Sequence, residues 1–208
     1  MTELEQTEIP AEAREVLEFW FGPMNSDGTA DAVHARRWWN KDPEFDREIR
    51  KHFGALHEAV ARGEKDGWLA SPRGRLALVI VLDQFSRNLF RGDPKSFDSD
   101  TRALAIALEG IDRREDRRLG PDERTFLYMP LIHSEDPSVQ DRSVAVFTAL
   151  AAELSGDAKK SAANALESAK KHREVVLMFG RFPHRNAVLG RTTTADEMAF
   201  IVHEDSSF

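Results

Sequence analysis

Apolar side chains recur every three or four residues along most of this chain, which is the spacing of one face of an α-helix. In the segment 43–62, for example, Phe45, Ile49, Phe53 and Val60 follow this interval. The same pattern predicts helices over the segments 11–21, 30–39, 43–62, 72–90, 94–109, 121–127, 137–155, 159–178 and 194–202. We therefore expect about nine to eleven helices and no strand.

Several helix boundaries are marked by local sequence signals. A short oxygen-bearing residue precedes proline at Asp42-Pro43, Ser71-Pro72, Asp93-Pro94 and Asp136-Pro137. The first residue of each pair suits a helix N-cap, and proline suits the first helical position because its missing N–H has no partner there. Thr194 and Glu197 predict a capping box. Helix ends are predicted at Gly63, Gly110, Gly156 and Gly180, and a break or kink at Pro130.

The apolar run from Leu76 to Leu82 fits two structures. Seven consecutive apolar residues are typical of a buried strand in a parallel sheet. Such a strand would need partners, and no other β-branched run of comparable strength occurs in the sequence. The Ser71-Pro72 cap and the polar spacing beyond Leu82 suit a helix. We therefore predict a central helix from Pro72 to about Phe90 that is buried on all sides.

Helices joined by short loops predict an all-α fold of stacked antiparallel hairpins. No convincing repeat of about 34 residues is present, so any solenoid character is degenerate. A length of 208 residues corresponds to one domain. We assign residues 11–208 to a single all-α domain and residues 1–10 to a disordered N-terminal tail.

Composition narrows the partners and the location of the protein. The net charge of −7 disfavours binding to nucleic acid or to an anionic membrane. The absence of cysteine excludes disulfides and thiolate metal sites and fits a reducing compartment. No apolar run is long enough to span a bilayer, and the acidic N-terminus is unlike a signal peptide. We expect a cytoplasmic protein, in which the alternating charges of residues 112–118 form a solvated face.

Residues 179–191, FGRFPHRNAVLGR, bring cationic and apolar side chains together. The polar members of this segment are Arg181, His184, Arg185, Asn186 and Arg191. Part of their charge must lie against apolar surface, where a guanidinium needs a carboxylate, a carbonyl or a bound anion. We interpret the segment either as a site that grips a carboxylate or phosphate, or as a turn whose arginines clamp helix C-termini.

A second polar stripe lies at the end of the predicted central helix. Asp83, Arg87 and Arg91 are four residues apart and share one helix face, and Gln84 and Asn88 lie on the adjoining face. This stripe is either a structural Asp–Arg pair or the wall of a basic pocket. Because it resembles the later segment, we expect the two to meet and to leave some positive charge unmatched.

Histidines and one glutamate are candidates for proton transfer. His133 or Glu135, which follow the break at Pro130, could serve as general base, as could His184, although a plain surface loop also explains the first two. His172 lies on the apolar face of its helix, where it is either a buried structural histidine or a second donor to the pocket. No metal-binding spacing, glycine-rich phosphate loop or nucleophile elbow is present, so we expect neither metal nor cofactor.

Three motifs resemble those of a known family. The runs LDQFSRNLFRG, MPLIHSED and FGRFPHRNAVLGRTTTADE are similar to the signature segments of the bacterial family called domain of unknown function 924. That resemblance implies a helical, tetratricopeptide-like fold and directs attention to residues 83–91, 133–135 and 181–191. Departures are mild, with Ser86 in place of a frequent proline. The family implies a fold and no activity.

Two functions from different classes remain open. The first is a pocket for a small anionic ligand, such as a phosphorylated or carboxylated metabolite, with acid/base chemistry left open. The residues expected to bind it are Arg87, Asn88, Arg91, His172, Arg181, His184, Arg185, Asn186 and Arg191. The second is a scaffold that binds a peptide or protein partner, with purely structural arginines. Nucleic-acid binding through residues 170–191 is the least favoured and predicts a steep loss of affinity with salt.

Overall fold

Helices make up most of the path of the chain in the computed structural model, which describes residues 9–203. They are α1 (Ala11–Phe21), α2 (Ala32–Trp38), α3 (Pro43–Ala61), α4 (Pro72–Val79), α5 (Ser86–Leu89), α6 (Asp100–Asp112), α7 (Pro121–Ile132), α8 (Pro137–Glu153), α9 (Gly156–Phe179) and α10 (Ala195–His203). A π-helix, Ile80–Phe85, joins α4 to α5, and 3-10 turns lie at Asp66–Ala70, Pro94–Phe97, Glu115–Arg118 and Pro183–Arg185. No strand forms in residues 9–203, so the all-α class is confirmed.

The centre of the fold is the continuous helix made by α4, the π-helix and α5. Residues 74–86 are all buried, because α1, α3, α6 and α7 pack around them. A helix can be buried on every side without neighbouring strands, since its backbone groups bond to one another. The prediction of a helix rather than a strand over Leu76–Leu82 is therefore confirmed.

The π-helix was not predicted, and it changes the end of the central helix. Ser86 Oγ donates a hydrogen bond to the carbonyl of Leu82 at 2.6 Å. Arg87 Nη1 donates to the carbonyl of Asp83 at 2.8 Å. These side chains bond to backbone oxygens where the regular helical ladder changes its register. The polar stripe expected on a regular helix thus begins inside a wider turn.

The N-caps predicted at the four proline pairs are confirmed, although α6 begins only at Asp100 and not at Pro94. The residue before proline accepts backbone hydrogen bonds in all four pairs; Asp136 Oδ1, for example, accepts from the amide of Ser138 at 2.7 Å. Behind Asp93 the first turn is a 3-10 helix. Thr194 and Glu197 form the expected capping box, with reciprocal hydrogen bonds of 2.8 and 3.2 Å.

The helix ends predicted at Gly110 and Gly156 are wrong, and the helix does not break at Pro130. Gly110 lies inside α6 because the helix packs against a buried arginine there, and a Cβ at Gly110 would stand 2.6 Å from Arg75 Cδ. Gly156 is the first residue of α9, whereas α8 already ends at Glu153. Pro130 lies within α7 near its C-terminus, where it removes one backbone hydrogen bond without ending the helix.

The main core is one continuous cluster of apolar side chains, with aromatic rings from α1, α3 and α7 packed around Trp20. Trp38 packs into this cluster and donates to the carbonyl of Trp20 at 2.9 Å, and Trp39, although 63% exposed, stacks on the buried ring of Phe126. Ile9, which we assigned to the tail, is buried in the cluster. Residues 1–8 of the predicted tail lie outside the described residues.

The charged run 112–118 is exposed at five of its seven residues, as the sequence predicted, but Glu115 and Asp116 turn inward. Asp116 is buried and accepts a hydrogen bond from the Tyr128 hydroxyl at an O–O distance of 2.5 Å. Glu115 accepts from Arg75 Nε at 2.7 Å. The two carboxylates therefore fasten the connection between α6 and α7 to the helices beneath it.

Candidate functional site

The two arginine-bearing segments meet at Asp100, the first residue of α6. Both oxygens of Asp100 accept from Arg87, at 3.0 Å from Nη1 and 3.1 Å from Nη2. Arg185, in the 3-10 turn Pro183–Arg185, places its Nη1 3.6 Å from Asp100 Oδ2. The expected meeting of residues 83–91 with residues 179–191 is confirmed.

Asp83 is the buried centre of this cluster. Its side chain is fully buried; its oxygens contact His133 Nδ1 at 2.8 Å and Gln84 Nε2 at 2.6 Å. Arg87 Nη1 lies 3.1 Å from Oδ1 of the same carboxylate. Burial raises the pKa of Asp83, but the charge of Arg87 and the hydrogen bonds from His133 and Gln84 lower it by more, to about 2. The carboxylate is therefore ionised at neutral pH.

His133 caps the C-terminus of α7, and its tautomer follows from its neighbour. An ionised carboxylate can only accept a hydrogen bond, so the Nδ1 atom that contacts Asp83 carries the proton. Burial and the positive charge of Arg87 lower the pKa of His133, which makes its imidazole neutral at pH 7. The other nitrogen, Nε2, is then a proton acceptor. A histidine held in this tautomer by a carboxylate is suited to general base chemistry.

Glu135 holds the second segment against the turn that follows α7. Its two oxygens accept from Arg191 at 2.8 and 3.0 Å, and Oε1 also accepts from the amide of Phe182 at 2.8 Å. Burial raises the pKa of Glu135, but the hydrogen bonds from Arg191 and Phe182 lower it by more. Glu135 is therefore an ionised partner of Arg191, and it holds residues 182–191 against this turn.

A buried glutamine of α8 fixes the backbone around His133. Gln140 Nε2 donates to the carbonyl of Ile132 at 2.7 Å and to that of Ser134 at 2.6 Å. The side chain has no exposed surface, so these bonds are not in competition with water. Gln140 thus fixes the backbone on either side of His133, and with it the position of the imidazole beside Asp83.

Arg185 lies between two aromatic rings and is incompletely paired. Its guanidinium carbon is 4.7 Å from the ring centroid of Phe97 and 4.6 Å from that of Phe182. Nη2 donates to the carbonyl of His133 at 2.9 Å, whereas Nε is buried without a hydrogen-bond partner. Burial and the nearby charge of Arg87 lower the pKa of Arg185 to about 10. The surroundings of this arginine therefore disfavour its positive charge.

A small cleft of about 250 Å³ opens beside these groups. His133 and Arg185 lie on its wall together with Asp100, and the apolar part of the wall comes from Phe97, from α6 and α7, and from residues 179–191, which we call the basic segment. The remaining lining residues are Thr101, Leu104, Pro130, Ser134, Glu135 and Leu189. A proton acceptor and a cation thus face the same space.

Two residues of the first predicted segment lie away from the cleft. Arg91 donates to both oxygens of Asp46 in α3, at 2.8 and 2.9 Å, and Asn88 Nδ2 donates to the same carboxylate at 2.8 Å. Neither residue is part of the cleft wall. Their place in the structure is a contact between α3 and the end of the central helix.

Two residues of the second segment hold the last helix instead. Arg181 donates to Glu197 of α10 at 2.6 and 2.9 Å, and Asn186 Nδ2 donates to Glu197 Oε2 at 3.2 Å. Glu197 is the capping-box residue of α10. These contacts therefore couple the basic segment to the start of that helix.

The other two candidate histidines pack on either side of Phe182. His172 Nδ1 contacts the carbonyl of Ser168 at 2.8 Å, and burial lowers the pKa of His172 to about 3. Its ring meets Phe182 edge to face. His184 is exposed, with its ring centroid 5.6 Å from that of Phe182. Neither histidine is among the residues of the cleft wall.

Three contributors to the site were missed by sequence reasoning: Asp100, Phe97 and Gln140. Asp100 gave one indirect signal, because two arginine segments beside apolar residues require a carboxylate. Phe97 belongs to the apolar spacing of the segment 94–109, which gives no reason to place it in a site. Gln140 gave no signal, since nothing in a single glutamine predicts that it binds the carbonyls of another turn.

Two further findings concern the described part of the chain. None of its helices has the length and apolar character needed to cross a membrane. Its histidine, aspartate and glutamate side chains do not form a group of three or more that could hold a metal ion.

These features define a class of protein: an all-α domain with a buried Asp–His–Arg cluster beside a small cleft. Residues 16–205 match the model of the family described as bacterial protein of unknown function (DUF924), and the chain belongs to that family. A solved structure of a protein of unknown function from Agrobacterium tumefaciens is similar, with a TM-score of 0.79 and 35% sequence identity, over 93% of this chain and 98% of that one. Comparison with curated proteins gives no match.

Proposed function

We propose that the cleft binds a small molecule bearing a carboxylate or phosphate group, and that His133 exchanges a proton with it. The observation that supports this proposal is the state of Arg185. All five arginines of residues 83–91 and 179–191 lie in the described part of the chain. Within that part, four of them donate hydrogen bonds to a carboxylate and Arg185 does not.

The carboxylate of Asp100 does not form a hydrogen bond with Arg185. Both oxygens of Asp100 already accept from Arg87, and Arg185 stands 3.6 Å away. A guanidinium between two aromatic rings has little water to replace the missing partner. An anion in the cleft would supply that partner and would raise the pKa of Arg185 back towards its ordinary value, so binding and charge stabilisation would reinforce each other.

Proton transfer follows from the tautomer of His133. Its Nε2 is the basic nitrogen, and the residue lies on the cleft wall beside Arg185. A ligand whose anionic group contacts Arg185 would present a neighbouring hydroxyl group or a water molecule to that nitrogen. The cleft of about 250 Å³ lies below the roughly 300–1,000 Å³ of drug-sized sites, which favours a metabolite of few heavy atoms.

The alternative from another class is a scaffold that binds a peptide or protein partner. It is favoured by exposed apolar side chains near the ends of α9 and α10. They are Leu177, Met178, Met198 and Val202, each at least half exposed. In this alternative every arginine is structural, so anions should not stabilise the protein.

We also infer that the protein works in the cytoplasm. The absence of cysteine supports a reducing compartment.

A thermal-shift screen against small phosphates and carboxylates tests the proposal. A ligand at 100 times its dissociation constant stabilises the protein by about 2.7 kcal/mol. We expect Arg185→Lys, which keeps the charge and loses the forked geometry, to remove most of the shift produced by a positive ligand. Circular dichroism establishes that the variant is folded.

The control is Arg91→Lys, the same substitution in an arginine that binds Asp46 outside the cleft. It should leave the ligand shift unchanged. His133→Asn, whose amide still donates to Asp83, should abolish turnover of any substrate found while sparing most of its binding. The proposal fails if no anion stabilises the wild type, or if Arg91→Lys and Arg185→Lys reduce the shift equally.

A further inference from the structure

A second and larger cavity, of about 510 Å³, lies at the other end of α7. It opens between the end of α6, the 3-10 turn Glu115–Arg118, α7 and α8. Its lining residues are Ile111, Arg114, Asp116, Arg117, Arg124, Tyr128, Ala145, Val146 and Ala149. None of them belongs to the wall of the first cleft. Arg124 and His133 are nine positions apart in the chain, which along a helix corresponds to about 13 Å.

Arg124 is the buried cation of this cavity, with 7% of its surface exposed. Its Nη1 donates to Glu153 at 2.7 Å, and its Nε donates to the Tyr128 hydroxyl at 3.3 Å. Its Nη2 is buried with no hydrogen-bond partner; the nearest carboxylate oxygen, on Asp116, is 3.9 Å away. This nitrogen is closed to the cavity, so Arg124 gives the wall an incompletely paired positive charge and not a free donor.

Tyr128 and Asp116 hold Arg124 in place without satisfying it. Burial and the hydrogen bond to Asp116 raise the pKa of Tyr128 to about 12, so the hydroxyl stays protonated. The hydroxyl donates a hydrogen bond to Asp116 at an O–O distance of 2.5 Å, and its oxygen accepts a hydrogen bond from Arg124 Nε. Because each of these side chains is buried, the arginine is held rigidly.

Two further arginines stand on the cavity wall near its opening. Arg117 pairs with Glu153, which also binds Arg124. Arg114 has a left-handed backbone with φ of 57°, and within residues 9–203 it forms no ion pair. Three guanidinium groups therefore share two carboxylates, those of Asp116 and Glu153, which leaves one positive charge.

We infer that this cavity is a second binding site, for an organic anion that carries a carboxylate next to a small apolar body. The carboxylate would contact Arg114, near the incompletely paired charge of Arg124. The apolar body would lie against Ile111 and Val146, with the small side chains of Ala145 and Ala149 leaving room for it. The inference does not rest on the proposed function of the first cleft.

The experiment measures binding of benzoate to the full chain by calorimetric titration, with benzyl alcohol as the uncharged probe. We expect saturable benzoate binding, and binding of benzyl alcohol at least about tenfold weaker, because a charge-assisted hydrogen bond contributes about that factor. Arg114→Gln should weaken benzoate binding by about tenfold. Ala145→Leu, on an exposed helix position, should abolish binding by filling the cavity.

Two variants locate the bound probe. Arg113→Gln makes the same charge change at the adjacent exposed residue, outside the cavity wall, and should leave the affinity unchanged. Arg185→Lys should also leave it unchanged, since that residue belongs to the first cleft. The inference is overturned if benzoate does not saturate, if Arg113→Gln weakens it as much as Arg114→Gln, or if Arg185→Lys abolishes it.

Discussion

The carboxylate of Asp83 is a buried charge whose partners are also functional candidates. Its contacts with Arg87 and His133 keep the group ionised although it is fully buried. A buried ion pair adds little net stability, but removing one of its partners leaves the other charge uncompensated. Removing the Asp83 carboxylate should therefore lower the free energy of unfolding by more than the ion pair contributes to it.

Asp83→Asn should destabilise the protein by about 3–5 kcal/mol at pH 7. The folded pKa of Asp83 is about 2, below its ordinary value of 3.8, so its ionisation stabilises the fold above pH 3.8 and that contribution is lost as pH falls towards 2. The stability difference between wild type and variant should shrink by about 2 kcal/mol over this window. Urea denaturation across pH 2–6 measures it.

Asp98→Asn is the matched control, because it removes the same charge from an exposed position two residues before Asp100. Its effect should stay within about 0.5 kcal/mol. Equal losses in the two variants would show that Asp83 contributes only through the net charge of the protein.

At the scale of residues, the sequence indicates the arginines of the site more clearly than the carboxylates that pair with them. Arg87 and Arg185 were identified because charged residues next to apolar residues can be recognised in the sequence itself. Asp100 was not, because its relation to Arg185 exists only after α6 packs beside the basic segment. The sequence predicted that some positive charge in residues 83–91 and 179–191 would be unmatched. Only the distances in the structure show that the incompletely paired residue is Arg185.

At the scale of elements, two glycines inside helices have opposite surroundings. A Cβ added to Gly110 in α6 would stand 2.6 Å from Arg75 Cδ, and Arg75 is itself held by Glu109 and Glu115. A Cβ added to Gly54 in α3 would meet no atom within 4 Å. The same substitution should therefore change stability in opposite directions.

Gly110→Ala should destabilise the protein by about 1–3 kcal/mol, because a well-packed side chain must move. Gly54→Ala should stabilise it by about 0.4–1 kcal/mol, since alanine restricts the unfolded chain and suits a helix. Thermal unfolding of the two variants and the wild type measures both. Shifts of the same sign would contradict the packing described around Arg75.

The elements themselves were predictable as far as their causes are local. N-caps, proline at the first helical position and the Thr194–Glu197 box depend on neighbours in the chain, and these predictions are confirmed. Gly110 ends no helix because a distant arginine needs the space. The π-helix, Ile80–Phe85, likewise depends on packing that apolar periodicity does not encode.

At the scale of the whole molecule, histidines that are wholly or partly buried make stability depend on pH. Burial lowers the pKa of His57, His133 and His172 below the ordinary value of 6.5. Below pH 6.5 the unfolded chain then binds more protons than the folded protein does. The free energy of unfolding should therefore fall as pH decreases from 6.5, before most carboxylates are protonated.

His172→Gln isolates one of these contributions. Its folded pKa is about 3, so between pH 6.5 and pH 5 the wild type should lose about 2 kcal/mol through this residue alone. The variant carries its structural cost at every pH, so the gap between the two proteins should narrow by that amount from pH 7.5 to pH 5. Parallel curves from denaturant titrations would contradict the assignment of His172 as a buried neutral histidine.

The fold class was predictable because it depends on the summed pattern of the chain, which no single error changes. Misplaced boundaries at Gly110, Gly156 and Pro130 left the number and order of the long helices intact. The cavity beside Arg124 was not predictable, since its walls come from segments that the sequence presents as a charged surface and two ordinary helices.

The wide turn in the central helix also limits how this chain can change in length. A π turn holds one residue more than an α turn, so deleting one residue from 80–85 would let the helix return to its regular period with the later side chains still on the same faces. Deleting one residue from the regular turns of 74–79 would instead rotate every later side chain by about 100°. Arg87 would then turn away from Asp100. In relatives that keep the Asp83, Arg87 and His133 cluster, a change of length in the central helix should therefore fall within 80–85 and not in the turns before it.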